Sequence, residues 1–175
     1  QYLLDLTREG YPVIPTTDDI NQLETLGGSG KYVVKLINGA DSIGMEVLPG
    51  EKLFGLNLDG KIIQPYLHFE YEVSFYYLDN VFRYALFAPD RKRRWELVEY
   101  KVTHEDLHFA DLFVNWNMIS HGIVRIDACR LADGSLRLVE IEDLNPFLSL
   151  DLLSENKREQ FIYRFIESLE KLLNQ

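Results

Sequence analysis

The sequence is short of cysteine, of cationic residues and of long apolar runs, and each shortage excludes a class of protein. Its 175 residues include one cysteine, Cys129, which excludes an internal disulfide and fits a reducing compartment such as the cytoplasm. The 18 lysines and arginines are outnumbered by 28 aspartates and glutamates, and the net charge of −10 disfavours nonspecific binding to nucleic acid or to an anionic membrane. The sequence contains no recognisable signal peptide and no long apolar segment, so nothing in it indicates secretion or membrane insertion.

The composition otherwise describes an ordinary soluble globular protein. Hydrophobic residues make up 46% of the chain and charged residues 26%. A chain of 175 residues accommodates one domain or two closely packed subdomains. Because the sequence opens on a helical pattern at Tyr2 without a methionine, we expect it to be a piece of a longer protein.

The most informative stretch, residues 124–146, has the pattern of two strands joined by a tight turn. Asp133 and Gly134 predict a two-residue type I′ turn, since both central residues of that turn need positive φ. With this turn, Asp127 lies opposite Glu140. The turn therefore sets which side chains meet across the predicted hairpin.

Four charged side chains project from one face of this hairpin, because alternate residues of a strand point to the same side. They are the Asp127–Glu140 pair and Arg125, which faces Glu142. Two carboxylates directly opposite one another lie about 5 Å apart and repel, so a fold that keeps them usually holds a cation there or shares a proton. Clustered carboxylate oxygens suit Mg²⁺. A solvated hairpin whose charges alternate in sign is the competing interpretation.

A second candidate feature is a strand lysine followed by a small, glycine-rich loop. Residues 31–37 predict a β-branched strand that carries Lys35, and the loop at residues 38–44 contains Gly39, Ser42 and Gly44. Backbone N–H groups in such a loop can cradle phosphate oxygens while the lysine supplies positive charge. A plain glycine turn fits the same residues, so both interpretations stay open.

The remaining segments predict a core of hairpins and helices. A second tight turn at Asp79-Asn80 would place Tyr76 opposite Arg83 and Tyr84 on the other face. Thr103 with Asp106 predicts a capped helix start. A final helix begins at Ser154, and we expect one apolar stripe to cover the sheet: Phe161, Phe165, Leu169 and Leu172. Antiparallel hairpins with helices packed to one side predict an α+β fold.

The order and spacing of these pieces resemble an ATP-grasp domain over residues 10–153. The resemblance rests on the strand lysine, the Gly/Ser loop, the Gln-Pro-Tyr-Leu segment at residues 64–67 followed by Glu72, and the RxD…ExE…NP hairpin. The similar proteins are carboxylate–amine ligases such as D-alanine–D-alanine ligase, glutathione synthetase and the glutamate-adding ligases. The resemblance implies two small α+β subdomains whose antiparallel sheets clasp a nucleotide.

The resemblance also implies a domain organisation. Residues 1–15 would be the end of a preceding helix or linker, residues 16–67 the small subdomain, and residues 68–175 the large one. The N-terminal domain that complete family members carry would be missing.

Individual roles follow from the same resemblance. Arg125 would be the catalytic residue that stabilises the transferred phosphate or the tetrahedral intermediate, and Asp127 and Glu140 would hold Mg²⁺. The loop at residues 38–44 would close over the phosphates, residues 64–67 would contact adenine, and Glu72 would hold the ribose hydroxyls. The implied nucleotide-binding residues are Lys35, Gly39, Ser42, Gly44, Gln64, Pro65, Tyr66, Leu67 and Glu72.

The sequence departs from the family pattern in two places. Gln64 stands where glutamate is more usual. The hairpin ends on Glu140-Ile141-Glu142 instead of ExN, with Asn145 three residues later. Either Glu142 or Asn145 would be the third metal ligand, and the predicted register favours Glu142. A third carboxylate is tolerable only with two Mg²⁺ ions.

The implied reaction is an ATP-dependent ligation in which a carboxylate becomes an acyl phosphate and an amine then displaces phosphate. The expected partners are small-molecule or peptide carboxylates and amines, together with the missing N-terminal domain. Two alternatives stay open: a phosphotransferase or regulatory ATP-binding module on the same fold, and a non-catalytic interaction domain with a decayed site.

Overall fold

The chain divides into two units, Gln1–His68 and Phe69–Gln175, each built on its own antiparallel sheet. The computed structural model describes residues 2–27, 30–38, 44–90, 92–93, 95–143 and 145–174. The helices are α1 (Tyr2–Arg8), α2 (Leu23–Leu26), α3 (His104–Asn117) and α4 (Glu155–Leu173). The strands are β1 (Lys31–Leu36), β2 (Glu46–Pro49), β3 (Lys61–Pro65), β4 (Tyr71–Leu78), β5 (Val81–Phe87), β6 (Val98–Glu99), β7 (Ile123–Arg130) and β8 (Leu136–Glu142). The predicted α+β class is confirmed. Among the described helices, none combines the length and apolar character needed to cross a bilayer.

The first unit contains a three-stranded sheet in the order β2-β1-β3. The β-branched sequence of β1 suits a central strand, and its buried residues Tyr32 and Val34 pack with Ile63 of β3 in one apolar cluster. Ile63 also exchanges both backbone hydrogen bonds with Thr17, at 2.7 and 3.0 Å. Pro65 ends β3, which fits a residue that has no N–H to donate to a sheet.

The second unit contains a five-stranded sheet in the order β6-β5-β4-β7-β8. Its helices cover opposite faces, which corrects the expectation that they pack to one side. Tyr77 of β4 donates a 2.8 Å hydrogen bond to Asp111 of α3, whereas the adjacent Tyr76 belongs to a core cluster with Phe161 of α4. Neighbouring residues of a strand point to opposite faces, so both faces of β4 are buried.

The hairpin of β4 and β5 has the predicted tight turn but a different register. Asp79 and Asn80 have φ values of 51° and 61°, which is the backbone of a type I′ turn. A bulge beyond Tyr77 then places Tyr76 opposite Tyr84 instead of opposite Arg83. The rings of Tyr76 and Tyr84 consequently stack on one face, with centroids 4.3 Å apart, so the predicted assignment of Tyr84 to the other face is wrong.

The hairpin of β7 and β8 has the predicted register at its open end but not the predicted turn. Gly134 has φ of 84°, whereas Asp133 has negative φ and accepts hydrogen bonds from Ser135 N and Oγ at 2.9 and 2.7 Å. The loop therefore has three residues, closed by Leu131 N–H to Ser135 O at 2.9 Å. A bulge at Val139 compensates for the extra loop residue, so the pairs Asp127–Glu140 and Arg125–Glu142 form as predicted.

The two long helices begin where the sequence predicts. Thr103 and Asp106 form a capping box at the start of α3, and Ser154 is the residue before α4. The apolar stripe of α4 covers the sheet only in its first half. Phe161 is 3% exposed, but Leu169 and Leu172 are 44% and 40% exposed. The prediction that the whole stripe is covered is therefore wrong.

Candidate functional site

Three carboxylates meet on β7 and β8 in the second unit. Asp127, Glu140 and Glu142 each offer a carboxylate oxygen, and these oxygens lie within 4.8 Å of one another. The paired register explains the cluster, because it puts Asp127 opposite Glu140 and brings Glu142 one step along the same face. The donors are all hard, negatively charged oxygens on a partly exposed surface, which is the ligand set that Mg²⁺ prefers. The residues present therefore fit a divalent cation.

Arg125 lies directly against this cluster and supplies the nearest positive charge. Its Nε donates to both oxygens of Asp127 at 3.0 and 3.1 Å, and its Nη2 donates to Asp127 Oδ2 at 2.8 Å and to Glu142 Oε1 at 2.6 Å. Burial lowers the pKa of Arg125, but the hydrogen bonds and negative charges of Asp127 and Glu142 more than offset this and raise the pKa above its ordinary value. The guanidinium is therefore a permanent cation that bridges two of the three carboxylates.

The segment after β8 is held against the site by buried hydroxyls. The Phe147 carbonyl accepts hydrogen bonds from Tyr76 Oη and Arg125 Nη1, both at 3.3 Å, and the Leu148 carbonyl accepts one from Tyr84 Oη at 2.7 Å. Burial raises the pKa of both tyrosines, so their hydroxyls remain neutral donors. The backbone of this irregular segment thereby gains partners that no strand provides.

A cavity of about 230 Å³ joins these groups. The polar side chains that line it are Glu72, Ser74, Tyr76, Arg125, Asp127, Glu140 and Ser149. Apolar side chains complete the wall: Val73, Ala88, Leu97, Ala128, Val139 and Phe147. The cavity therefore combines an acidic surface, one fixed arginine and several hydroxyls, which is an environment suited to a phosphorylated ligand bound with a cation.

Four predicted site residues of the second unit line this cavity, whereas Glu142 and Asn145 are not among the described residues that line it. Glu72, on β4, lines the same cavity as Arg125, Asp127 and Glu140. Asn145 is exposed beyond the end of β8 and is not among the described residues that line the cavity. Glu142 is the third carboxylate of the cluster, and the choice between Glu142 and Asn145 as the third metal ligand stays a prediction.

The predicted nucleotide-binding residues of the first unit lie around β1 and β3. Lys35 alternates with Val34 and so lies on the face of the sheet away from the Tyr32 cluster. The Gln64 side chain is 4% exposed and donates from Nε2 to Thr16 Oγ1 at 2.9 Å. The Tyr66 N–H donates to the Lys31 carbonyl at 2.8 Å. The Gln64 side chain and the Tyr66 N–H are therefore already paired within the first unit.

The glycine-rich loop is described only at its ends. Gly39 and Ser42 lie outside the described residues, so the prediction of a phosphate loop there stays a prediction. Gly44 is described and has φ of 73°, a conformation that favours glycine. Pro65 is the last residue of β3 and pairs with Tyr32 of β1, and Leu67 follows where the chain has left the sheet.

A second charged network lies across the sheet from the cavity and was not predicted. Arg130 Nη2 donates to Asp106 Oδ1 and, at 3.1 Å, to Tyr100 Oη, while Arg130 Nε donates to Tyr71 Oη at 3.3 Å. Burial raises the pKa of Asp106, but the Thr103 N–H and Arg130 outweigh it and lower the pKa below its usual value. The network joins α3 to β4, to β7 and to Tyr100, which follows β6, and has a structural role.

Sequence reasoning missed Phe147 and Ser149 as cavity residues, but it had a signal for Ser74 and Tyr76. Alternation along β4 places Ser74 and Tyr76 on the same face as Glu72, and all three line the cavity. The segment after β8 is held at the cavity by hydrogen bonds from β4 and β5, which are distant from it in sequence. Local patterns carry no information about such contacts.

The fold was compared with known protein families, curated proteins and solved structures. No protein-family model and no curated protein matches the chain. D-cycloserine synthetase DcsG is similar in structure, with a TM-score of 0.72 and 22% identity over 98% of this chain and 69% of DcsG. The ATP-grasp ligase PsnB, complexed with minimal precursor, Mg and ADP, gives a TM-score of 0.67 and 17% identity over 95% of this chain and 57% of PsnB.

D-alanine–D-alanine ligase from Bacillus anthracis, complexed with ATP, gives a TM-score of 0.64 and 14% identity over 95% of this chain and 63% of that ligase. The chain therefore spans between 57% and 69% of the length of these three proteins. Its similarity to them extends over nearly the whole chain, through both sheets. The chain is an ATP-grasp domain by fold.

Proposed function

We propose that this chain is an ATP-dependent ligase domain that binds Mg-ATP and activates a carboxylate as an acyl phosphate for attack by an amine. The observation that carries the proposal is the cluster of Asp127, Glu140 and Glu142 with Arg125 beside one cavity of an ATP-grasp fold. Carboxylates and a fixed arginine are the groups needed to bind a metal–triphosphate and to balance charge during phosphoryl transfer. Small-molecule or peptide carboxylates and amines are the proposed substrates.

The three carboxylates would hold the metal. Asp127 and Glu140 are the first ligands that we propose, with Glu142 as the third because it shares their face. Asn145 remains the alternative third ligand. Bound Mg²⁺ would offset the charge of the phosphate oxygens and orient the γ-phosphate. The count of three carboxylates against one arginine favours two ions.

Arg125 would bind the oxygens of the phosphoryl group during transfer. Its side chain is only 15% exposed, so its charge acts with less screening by water than that of a surface arginine. The ion pairs with Asp127 and Glu142 fix its orientation before a ligand arrives, which lowers the cost of reorganisation during the reaction. Glu72, in the same cavity, would accept hydrogen bonds from the ribose hydroxyls.

The first unit would contribute the remaining nucleotide contacts. Lys35 and the loop with Gly39, Ser42 and Gly44 would bind phosphate oxygens. The backbone groups of Ile63 bond to Thr17, away from β1, and alternate residues of a strand point the same way. The Pro65 carbonyl is therefore directed away from β1, where it would accept a hydrogen bond from the adenine amino group. Gln64, Tyr66 and Leu67 complete the proposed adenine-binding segment.

Calorimetric titration with AMPPNP, with and without Mg²⁺, tests the proposal. The wild-type chain should bind AMPPNP in an Mg²⁺-dependent manner, and the double variant Asp127→Asn with Glu140→Gln should lose that binding. The control is Asp133→Asn with Glu159→Gln, which removes the same charges from the hairpin turn and from α4. Absence of Mg²⁺-dependent binding by the folded wild-type chain would contradict the proposal.

The reaction type needs a second measurement. ADP release that requires both a carboxylate and an amine supports a ligase. ADP release with a single acceptor supports a phosphotransferase instead, because the groups around ATP would be shared by both activities.

A further inference from the structure

The stacked pair Tyr76 and Tyr84 has a feature that core packing does not require. Both side chains are buried, at 1% and 4% exposure, yet each hydroxyl reaches a backbone carbonyl of the same short segment. The carbonyls belong to the consecutive residues Phe147 and Leu148. Phenylalanine would fill the same space without a hydroxyl, so the hydrogen bonds point to a role in holding this segment.

The Phe147 carbonyl links that segment to the functional cluster. It accepts hydrogen bonds from Tyr76 Oη and from Arg125 Nη1, each at 3.3 Å. Arg125 is thus held on one edge by Asp127 and Glu142 and at Nη1 by a carbonyl that Tyr76 fixes. A cation bound to the carboxylates would compete for their oxygens, whereas the carbonyl anchor would keep its place. We therefore expect the contact between Arg125 and the Phe147 carbonyl to persist when a cation is bound.

We propose that Tyr76 and Tyr84 position Arg125 for the γ-phosphate of ATP by clamping the backbone at Phe147 and Leu148. The inference rests on the proposed function, because it assigns the γ-phosphate as the group that Arg125 meets. Tyr76 acts directly on the carbonyl that Arg125 contacts. Tyr84 acts one residue further along and is itself supported by the Phe161 ring of α4, with centroids 5.5 Å apart. Both are positioning residues, because they act on Arg125 through the backbone of this segment.

The test compares Tyr76→Phe with Tyr77→Phe. Tyr77 is the next residue of the same strand, is equally buried at 1% exposure, and donates a 2.8 Å hydrogen bond on the opposite face of the sheet. Each variant therefore loses one buried hydroxyl, together with its hydrogen bonding, from the same core. The first readout is the ¹H–¹⁵N signal of Arg125 Nε–H, assigned by its loss in Arg125→Lys. The second is the affinity for AMPPNP relative to ADP, both with Mg²⁺.

Tyr76→Phe should shift the Arg125 Nε–H signal and speed its exchange with water. It should also lower the preference for AMPPNP over ADP by about three- to tenfold, the range that one neutral hydrogen bond supports. Tyr77→Phe should change neither readout. If Tyr76→Phe does not fold, Tyr84→Phe replaces it, with a smaller expected change in both.

An unchanged Arg125 signal in a folded Tyr76→Phe overturns the inference whatever the nucleotide affinities are. An equal change in Tyr77→Phe overturns it as well, because the effect would then come from general loosening of the core. A folded wild-type chain that binds neither nucleotide refutes the proposed function, and with it the assignment of the γ-phosphate. The Arg125 signal would still decide whether Tyr76 positions the guanidinium.

Discussion

Replacement of Glu140 by glutamine should stabilise the protein in the absence of divalent cations and reduce its response to Mg²⁺. Glu140 is exposed, and its carboxylate lies within 4.8 Å of those of Asp127 and Glu142. Arg125 forms its ion pairs with these other two carboxylates. The substitution therefore removes like-charge repulsion from the cluster and leaves the arginine with its partners.

The size of the effect follows from the spacing. Two unit charges at 4.8 Å interact by about 1 kcal/mol in a water-like dielectric, and the exposure of Glu140 favours this lower end of the scale. Relief of this repulsion should therefore contribute about 1 kcal/mol of stability without a metal. For a chain of 175 residues this corresponds to a rise in Tm of about 2–4 °C.

Thermal denaturation followed by circular dichroism, in EDTA and in Mg²⁺ with AMPPNP, measures both parts of this prediction. Wild type should gain stability from the ligands because they bind the folded state, and Glu140→Gln should gain much less. Glu159→Gln, on α4, removes one charge outside the cluster and should respond to the ligands like wild type. A Glu140→Gln variant that is less stable in EDTA, yet gains as much as wild type from Mg-AMPPNP, would refute a metal site at this cluster.

Two other predictions concern stability outside the cavity. Asp106→Asn should cost about 3 kcal/mol at neutral pH, measured by urea denaturation, because it leaves the largely buried Arg130 without its charged partner. The folded-state pKa of Asp106 is lowered, so the stability that its carboxylate contributes is complete above its unfolded-state pKa and is lost as the pH falls through the folded-state pKa. The difference in unfolding free energy between wild type and Asp106→Asn should therefore shrink in acid. An unchanged difference would contradict this account. Gly134→Ala should cost about 1 kcal/mol in the same assay, because its φ of 84° is unfavourable for a residue with a Cβ, and no loss would contradict the turn described for this hairpin.

The two hairpins mark how far the sequence predicts this fold. At Asp79-Asn80 the turn was predicted correctly, but the bulge beside Tyr77 changed the register of the rest of the hairpin. At Asp133-Gly134 the turn was wrong, and the bulge at Val139 restored the register at the carboxylates. Turn residues can be recognised from the local sequence. The positions of these bulges depend on how the strands pack in the core, which the local sequence does not specify.

The candidate site shows the same division between local and long-range information. Counting along one hairpin predicted that Asp127, Glu140 and Glu142 meet, and they do because the longer loop and the bulge at Val139 offset each other. The capping box of Asp106 was also local and was predicted. Its ion pair with Arg130 joins residues on separate elements, so it required the tertiary structure.

The position of β8 at the edge of the five-stranded sheet has a consequence for solubility. An edge strand offers unpaired backbone groups to any other strand that approaches, and proteins commonly prevent this with charges and bulges. β8 carries both, in Glu140, Glu142 and the bulge at Val139. Two copies of this chain that approached edge to edge would bring like charges together on a strand that is also locally distorted. We therefore expect the acidic residues proposed to hold a metal also to hinder separate molecules from joining their sheets.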